Sequence, residues 1–463
     1  MNHAALEGLD KASLVELVLR QAALLAALEA RLSQMEARLE EAERRAVRGP
    51  APFGRPESKH SPSPGRPGRK GGHEGSYRVR PADEAVDRFI EVPLSQCPHC
   101  GAALRAQTDV AVEQTIIDIP AVRPQVTRLM THRNRCQCCG QTVASRHELQ
   151  VSAANGAAGT HLGARALALA VALNKGFGLT MRKSCAVLRE LLGISLSPGG
   201  LAQALARTAR RLQGDDAALL QALKAEPVLH TDETSWFVGK VGFSLWVLTN
   251  RAGTCYRIVP SRSRAQAEAL LGDYQGVLVS DCLNIYDDLT PLQHKCYAHH
   301  LKAIGKALET APSAYLDEVR LLLVAAMGLK EEIANLPADR VARMRQALEA
   351  RAAALLNSPR TGDHTRHDAH LAALEEKLRQ RLFKQRDHLF TFLDHPAVEA
   401  TNNRAERQLR PAVITRKLSC GNKTDAGAKA WQILSSQAAT CSQRGIAFAD
   451  YLVARLTLPL RAT

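Results

Sequence analysis

Two short apolar runs that each end in an aspartate constrain the fold more than any other feature of this sequence. Residues 227–239 read PVLHTDETSWFVG and residues 276–289 read GVLVSDCLNIYDDL. Asp232 and Asp281 therefore each close an apolar run that is typical of a buried strand. The end of a strand is rigid and opens to solvent, which suits an acid that faces a crevice. We expect an α/β domain over 222–455, in a protein that is α+β overall.

Helical sequence surrounds this strand-rich stretch. A long helical insertion is predicted at about 303–395, between the second acid and the basic segment TNNRAERQLRP at 401–411. Residues 156–215 are almost wholly helical, and their order resembles helix, turn, helix. Ser197 and Pro198 suit the N-cap and first-turn positions of the second helix. We interpret this segment either as a helix-turn-helix DNA reader or as a plain helical spacer.

The N-terminal segment carries a heptad repeat. Apolar residues recur every seven positions, and Gln21 is the polar break in the seam. The pattern predicts a parallel coiled coil over 8–47, and hence a homodimer or a higher homo-oligomer. The alternative is an amphipathic helix that packs on its own domain. Residues 48–80 are rich in Pro, Gly and Ser and predict a basic disordered linker. The heptad positions are Val18, Leu25, Leu32 and Leu39, with Leu14, Leu28, Met35 and Ala42 between them.

Two C-x-x-C-G knuckles predict a small zinc-binding β domain at 81–150. Four thiolates in this arrangement suit one tetrahedral structural Zn²⁺. Redox dithiols are the alternative, and His99 and Cys138 are spare ligand candidates. Strand-like composition between the knuckles predicts a ribbon with a basic face that contacts the DNA backbone. The predicted ligands are Cys97, Cys100, Cys136 and Cys139, and the predicted DNA contacts are Arg123, Arg128, Arg133 and Arg135.

The charge balance favours a polyanionic partner. The chain has 463 residues, with 61 basic against 46 acidic side chains and a formal net charge of +15. This surplus favours double-stranded DNA, and the alternative is a solvated basic surface. Aromatic residues are only 4% of the chain, which argues against single-strand binding by stacking. With no signal peptide and no apolar run of about 18 residues, we expect a soluble cytoplasmic protein, associated with the nucleoid and not with a membrane.

Glu406 is a single acid inside the most basic segment of the chain. Together with Asp232 and Asp281 it forms a set of carboxylates that can hold two Mg²⁺ or Mn²⁺ ions for phosphodiester chemistry. Without metal, Glu406 is simply an i, i+4 partner of Arg410. The cations around it are predicted to grip DNA phosphates. This predicted DNA-binding set is Asn402, Asn403, Arg404, Arg407, Arg410, Arg416 and Lys417.

The order of these motifs resembles the DDE transposases of the insertion sequence sixty-six type. The resemblance runs from the heptad segment through HTDETSW, SDCLNIYDDL, HKCYAHHLK and TNNRAERQLRP to RKLSCGNK. It implies a ribonuclease-H-like catalytic domain with Asp232, Asp281 and Glu406 as the metal triad. In the motif at Cys296, the tryptophan usual in that family is Tyr297 here. Lys302 lies where the family has basic residues, so it is an expected DNA contact.

The function implied by the resemblance is transposition. The protein is expected to bind the terminal inverted repeats of an element, to cleave DNA in a metal-dependent step, and to join the freed end to target DNA. Accessory proteins of the same element are potential partners. Two alternatives stay open: a zinc-containing repressor or architectural protein with a relic catalytic fold, and a nuclease of the same fold that does not join strands.

Overall fold

The computed structural model of the chain describes residues 78–104, 113–151, 159–357 and 366–457. These residues divide into two compact units. One unit lies within Phe53–Pro124, and the other comprises the described residues of Gln125–Thr463. The predicted coiled coil and nearly all of the predicted linker lie outside the described residues. Within the described ranges, no helix has the length and apolar character needed to cross a membrane.

A five-stranded mixed sheet is the centre of the larger unit. Its strand order is β5-β4-β3-β6-β7. The strands β3, β4 and β5 form an antiparallel meander, whereas β6 and β7 run parallel to β3. The protein is therefore mixed in α and β content, as expected. The bounds of these strands are Val228–Val238 (β3), Val241–Asn250 (β4), Gly253–Val259 (β5), Val277–Ser280 (β6) and Leu292–Lys295 (β7).

Helices precede, interrupt and follow the sheet. The first group is α1 (Ala164–Val171), α2 (Met181–Leu192), α3 (Pro198–Arg211) and α4 (Gln213–Lys224), with a π-helical turn at Ala172–Gly176 after α1. The second group is α5 (Arg264–Leu271), α6 (Tyr297–Leu308), α7 (Ala314–Glu332), α8 (Ala338–Asn357), α9 (Arg366–Lys384) and α10 (Thr391–Asp394). The last group is α11 (Asn403–Ser419), α12 (Asp425–Gln443) and α13 (Phe448–Thr457).

Alternation along the strands gives the sheet two apolar faces. Val228 and Val279 point to one face, where they pack with residues of α6 to α10. Leu229 and Leu278 point to the other face, where they pack against α4 and α5. Farther along β3, Trp236 packs with residues of α11 and α12. The helical insertion is thus part of the core of this unit.

The helices before the sheet are capped as their sequence predicts. The Ser197 hydroxyl accepts a hydrogen bond from the Gly200 amide at 3.0 Å, and Pro198 is in the first turn of α3. Gly193 ends α2 in the left-handed conformation (φ 64°), which glycine adopts without strain. These helices share one apolar core with α12 and α13, so the described part of 156–215 is not packed as a separate body.

The helical insertion leaves the sheet and returns to it at one point. The Tyr297 amide donates to the Ala400 carbonyl at 3.0 Å, and the Asn402 amide donates to Cys296 Sγ at 3.1 Å. Residues on both sides of the insertion are therefore bonded to each other across its base. This base joins the end of β7 to the start of α11.

The described part of the strand-like sequence between the two knuckles is mostly irregular. Among the described residues of 81–150, a short antiparallel hairpin encloses the second knuckle, with β1 at Arg133–Arg135 and β2 at Thr142–Ala144. The expectation of further strands within 113–132 is wrong for the described residues, which carry no regular structure there. Most apolar side chains of this stretch are exposed, so they do not form the buried face that stabilises a strand.

Candidate active site

Asp232 and Asp281 lie at equivalent positions on neighbouring strands. His230 of β3 is in register with Val279 of β6, and each aspartate follows two residues later. Because side chains alternate along a strand, Asp232 turns to the face that carries His230, and Asp281 comes directly after the last residue of β6. The pairing with β6 stops before Asp232, whereas β3 continues along β4 to Val238. The sheet splits at this point, and the two acids lie at the split.

Main-chain amides fix one oxygen of each aspartate. Asp232 Oδ1 accepts from the Glu233 amide at 2.8 Å, and Asp281 Oδ1 accepts from the Leu283 amide at 3.0 Å. Asp232 was expected at the end of its strand but lies in the middle of it, because the polar residues after it pair with β4. The crevice therefore comes from the loss of β6 as a partner and not from the end of β3.

Asn402 attaches the start of α11 to the sheet. Its side-chain amide donates to the Thr231 carbonyl at 2.7 Å, and its Oδ1 lies 3.2 Å from His230 Nδ1. The residue is fully buried. Glu406 follows in the first turn of α11, and its amide donates to the Asn402 carbonyl at 3.2 Å. A buried asparagine therefore positions the third acid beside β3.

The far end of α11 is also attached to β3. Arg416 Nη1 donates to Thr234 Oγ1 at 2.8 Å and to Ser235 Oγ at 2.6 Å. The Trp236 indole donates to Asn422 Oδ1 at 2.9 Å. Gly421 between them has φ of 95°, and a Cβ there would collide with the carbonyl oxygen of Phe237. These contacts make α11 a rigid support for Glu406.

The charges of Asp281 and Glu406 both act on Asp232. The pKa of Asp232 is raised to about 7. Burial is the largest cause, and the negative charges of Glu233, Asp281 and Glu406 contribute to the same rise. Neighbouring carboxylates disfavour a second ionised group unless a cation lies between them. The three predicted acids are therefore close enough to interact, and oxygen ligands gathered in this way suit a divalent cation such as Mg²⁺.

Glu233 is a buried acid behind the two aspartates that the sequence did not single out as functional. Its side chain is 3% exposed and lies 3.5 Å from Arg262. It accepts a hydrogen bond from the Tyr286 hydroxyl. Burial raises the pKa of Glu233, and the charge of Asp281 adds to the effect. The only sequence signal was its place in HTDET, where alternation turns it to the opposite face of the sheet.

The predicted DNA-binding set divides into exposed and engaged side chains. Arg404 is half-buried and forms an ion pair with Glu399 at 2.8 Å. Because Glu399 is paired in this way, it is a poorer candidate than Glu406 for the third metal ligand. Asn402 and Arg416 are engaged in the contacts described above, and burial lowers the pKa of Arg416. The exposed members are Asn403, Arg407, Arg410 and Lys417 on α11 and Lys302 on α6.

Each cysteine knuckle is a tight turn within its own compact unit. In the first, the Gly101 amide donates to the Cys97 carbonyl at 2.9 Å, and in the second the Gly140 amide donates to Cys136 in the same way. Main-chain amides of the knuckle residues lower the pKa of both first cysteines, which favours the thiolate that binds metal.

The second knuckle forms the turn of the β1–β2 hairpin. Arg135 Nε donates to the Gly140 carbonyl at 3.0 Å, so this arginine supports the knuckle. The other predicted DNA-contacting arginines of the region, Arg123, Arg128 and Arg133, are exposed. A single zinc ion shared by Cys97, Cys100, Cys136 and Cys139 stays a prediction of the sequence.

Comparison with known proteins connects this geometry to one family. The family model described as Transposase IS66 family matches residues 159–430. The match covers more than half of the chain and spans the helices before the sheet, all five strands, the insertion and α11. Comparison with curated proteins gave no match.

Proposed function

Because the chain belongs to the transposase IS66 family, we propose that it binds the ends of its element and catalyses DNA strand cleavage and strand transfer. In this proposal Asp232, Asp281 and Glu406 form the active site. The observation that carries it is the convergence of three acids from β3, the end of β6 and α11: the charges of Asp281 and Glu406 both add to the effect of burial in raising the pKa of Asp232. Acids drawn together from such distant parts of the chain indicate a site that is built for a cation.

The topology of the sheet supports a ribonuclease-H-like catalytic domain. The order β5-β4-β3-β6-β7, with an antiparallel meander followed by two parallel strands, is what that proposal requires. We propose that this domain spans about 222–455 and contains the helical insertion. We also propose that 8–47 joins subunits as a coiled coil and that 81–150 binds DNA through a four-cysteine zinc site.

The donor set of the three acids fits a pair of Mg²⁺ or Mn²⁺ ions. All donors are carboxylate oxygens, which these hard cations prefer. One oxygen of each aspartate is fixed by a main-chain amide, so both carboxylates have defined orientations. When bound, such a pair of ions supplies activation of a hydroxyl nucleophile and stabilisation of the leaving oxygen of a phosphodiester.

The residues around the acids hold the DNA strand in this proposal. The first turns of α6 and α11 lie next to the acids, and a helix N-terminus attracts phosphate. Exposed Arg407 and Arg410 extend this positive surface along α11, and Lys302 extends it along α6. The buried contacts of Asn402 and Arg416 keep α11 in place while the exposed cations bind phosphate.

One assay tests cleavage and joining together. Purified full-length protein is incubated with labelled DNA that carries the element ends, with target DNA and with Mg²⁺, and both nicked and joined products are measured. We expect both products with the wild-type chain and neither with Asp232→Asn. Nicking without joined product would point to a nuclease, and binding without either product would point to a repressor or an architectural protein.

A further inference from the structure

Three different ligand types meet at the edge of the proposed active site. Cys296 Sγ, a ring nitrogen of His299 and a carboxylate oxygen of Glu406 all lie within 4.8 Å of one another. Cys296 follows β7 and caps α6, His299 is in the first turn of α6, and Glu406 is in the first turn of α11. The base of the helical insertion therefore brings a sulfur, a nitrogen and an oxygen donor together.

His299 Nδ1 is shielded from solvent and has no hydrogen-bond partner among the described residues. It lies 3.9 Å from Glu406 Oε1, which is too long for a hydrogen bond. A shielded ring nitrogen without a partner costs free energy, because the contacts it had with water are not replaced. An ion between the imidazole and the carboxylate would satisfy both groups.

The spacing of the histidine and glutamate donors is close to that of a zinc site. Tetrahedral Zn²⁺ places nitrogen, oxygen and sulfur donors about 3.4–3.6 Å apart, given bond lengths of about 2.0–2.3 Å. The observed separation of 3.9 Å between His299 Nδ1 and Glu406 Oε1 needs only a small contraction. The Asn402 amide donates to Cys296 Sγ at 3.1 Å, which holds the sulfur in place beside the other two donors.

We propose that Cys296, His299 and Glu406 form a transition-metal site of the zinc class, distinct from the site made by the cysteine knuckles. A thiolate and an imidazole select a softer cation than Mg²⁺. The site shares Glu406 with the carboxylates of the proposed active site, so its consequence for activity rests on the proposed function. Zinc bound here withdraws Glu406 from Asp232 and Asp281, and therefore suppresses cleavage.

Zinc counting tests the site without any assay of activity. Full-length protein is saturated with Zn²⁺, freed of unbound metal by gel filtration, and analysed for zinc per chain. We expect Cys296→Ser and His299→Gln each to hold one equivalent less than the wild type. Cys282→Ser is the matched control, because this neighbouring cysteine contacts His300 instead, and it should hold the wild-type amount. Equal zinc in the wild type, Cys296→Ser and His299→Gln overturns the proposal.

A zinc titration measures the affinity of the site, and the use of two ligand variants covers the case in which one of them misfolds. Loss of an outer-shell partner costs roughly 10–100-fold in metal affinity, so loss of a direct ligand should cost at least about 100-fold. His299 is partly exposed, so His299→Gln keeps the test valid if Cys296→Ser, which alters a buried residue, fails to fold. Unchanged zinc affinity in folded His299→Gln likewise overturns the site.

The two proposals fail in different ways. If Asp232→Asn abolishes cleavage while the zinc content is equal in the wild type and both ligand variants, only the zinc site is wrong. If the ligand variants lose one zinc while Asp232→Asn still cleaves DNA, the zinc site stands and the proposed function is wrong.

Discussion

Asp232 lies two residues after His230 of β3, and Asp281 lies two residues after Val279 of β6. His230 and Val279 are partners in the register of these adjacent parallel strands. The positions of the two aspartates are therefore set by the two strands at the point where β3 and β6 cease to pair. Glu406 comes from another element, and its position depends on how α11 is attached to β3. This division between a rigid pair and a docked third acid leads to different expectations for different substitutions.

Removing the charge of any one of the three acids should abolish DNA cleavage. We expect Asp232→Asn, Asp281→Asn and Glu406→Gln each to lower cleavage by several orders of magnitude, since ligands that act as a unit do not contribute additively. Binding to element ends should persist, because a negative charge near phosphate has been removed. Gel-based nicking and binding assays measure both quantities.

Two other acids serve as controls for that set. Asp288 is exposed, and Glu399 is paired with Arg404. Asp288→Asn and Glu399→Gln should retain cleavage within a few-fold of the wild type. If Glu399→Gln abolished nicking while Glu406→Gln did not, the third acid would be wrongly assigned.

Replacing Asn402 should destabilise the fold. Asn402→Ala removes the hydrogen bond to the Thr231 carbonyl and the contact with His230. Buried groups left without partners cost about 1–3 kcal/mol each, so we expect a loss of at least about 2 kcal/mol in the free energy of unfolding. Chemical denaturation measures it. Asn403→Ala changes the exposed neighbour and should stay within about 0.5 kcal/mol of the wild type.

The exposed arginines of α11 should determine the salt dependence of DNA binding. Arg407→Gln and Arg410→Gln should each lower the slope of log affinity against log salt by about one, because each phosphate contact releases counterions. Arg416→Gln should instead lower the unfolding temperature, because this side chain is bonded to Thr234 and Ser235. Identical slopes for the wild type and both exposed variants would mean that these cations are only solvated.

The cysteine knuckles should hold zinc. We expect Cys97→Ser and Cys136→Ser each to lose one equivalent of zinc, the same one in both variants, and to bind DNA more weakly. Each substitution removes one of the four thiolates that complete the coordination of the ion. Metal analysis under reducing conditions tests this. Cys185→Ser, at a buried cysteine of α2, leaves both knuckles intact and should keep the zinc. Zinc-free wild-type protein would contradict the prediction.

Stability should fall in acid partly through His294. Complete burial lowers the pKa of His294 to about 4 from an ordinary value of 6.5. Between these pKa values the unfolded chain binds a proton at His294 that the folded chain excludes. The contribution of His294 to the free energy of unfolding is therefore fully present above about pH 6.5 and is lost as the pH falls toward 4. The contribution is on the order of 3 kcal/mol. His294→Gln should flatten this decline in denaturation measured across pH, whereas exposed His370→Gln should leave it unchanged.

The sequence singled out Asp232 and Asp281 because each closes an apolar run, and the register of β3 with β6 brings the two positions onto neighbouring strands. It did not predict the length of β3. The polar residues after Asp232 look like a loop, yet they pair with β4, because an antiparallel hairpin supplies partners that composition does not reveal. The same limit explains why the apolar residues in 113–132 suggested strands. Strand propensity needs a partner and a buried face, and the described residues there have neither.

Side-chain roles in the basic segment were harder to predict than its position. Asn402 and Arg416 belong by composition to a surface that binds phosphate, but they bond to β3, far away in the sequence. Such long-range contacts depend on the packed fold. The local motif gives no sign of them. Arg407 and Arg410 are exposed, and their contact with DNA stays a prediction.

The hydrogen bonds that close the base of the helical insertion bear on how the enzyme acquires its shape. Tyr297 and Cys296 can bond to Ala400 and Asn402 only after the whole intervening chain has been brought back, and closing so long a loop is entropically costly. The β3–β4 hairpin needs no such closure, so on refolding it should form before Glu406 reaches the aspartates. Under the proposed function, competence for cleavage therefore depends on closing this loop, and a nascent polypeptide that ends before residue 400 lacks Glu406.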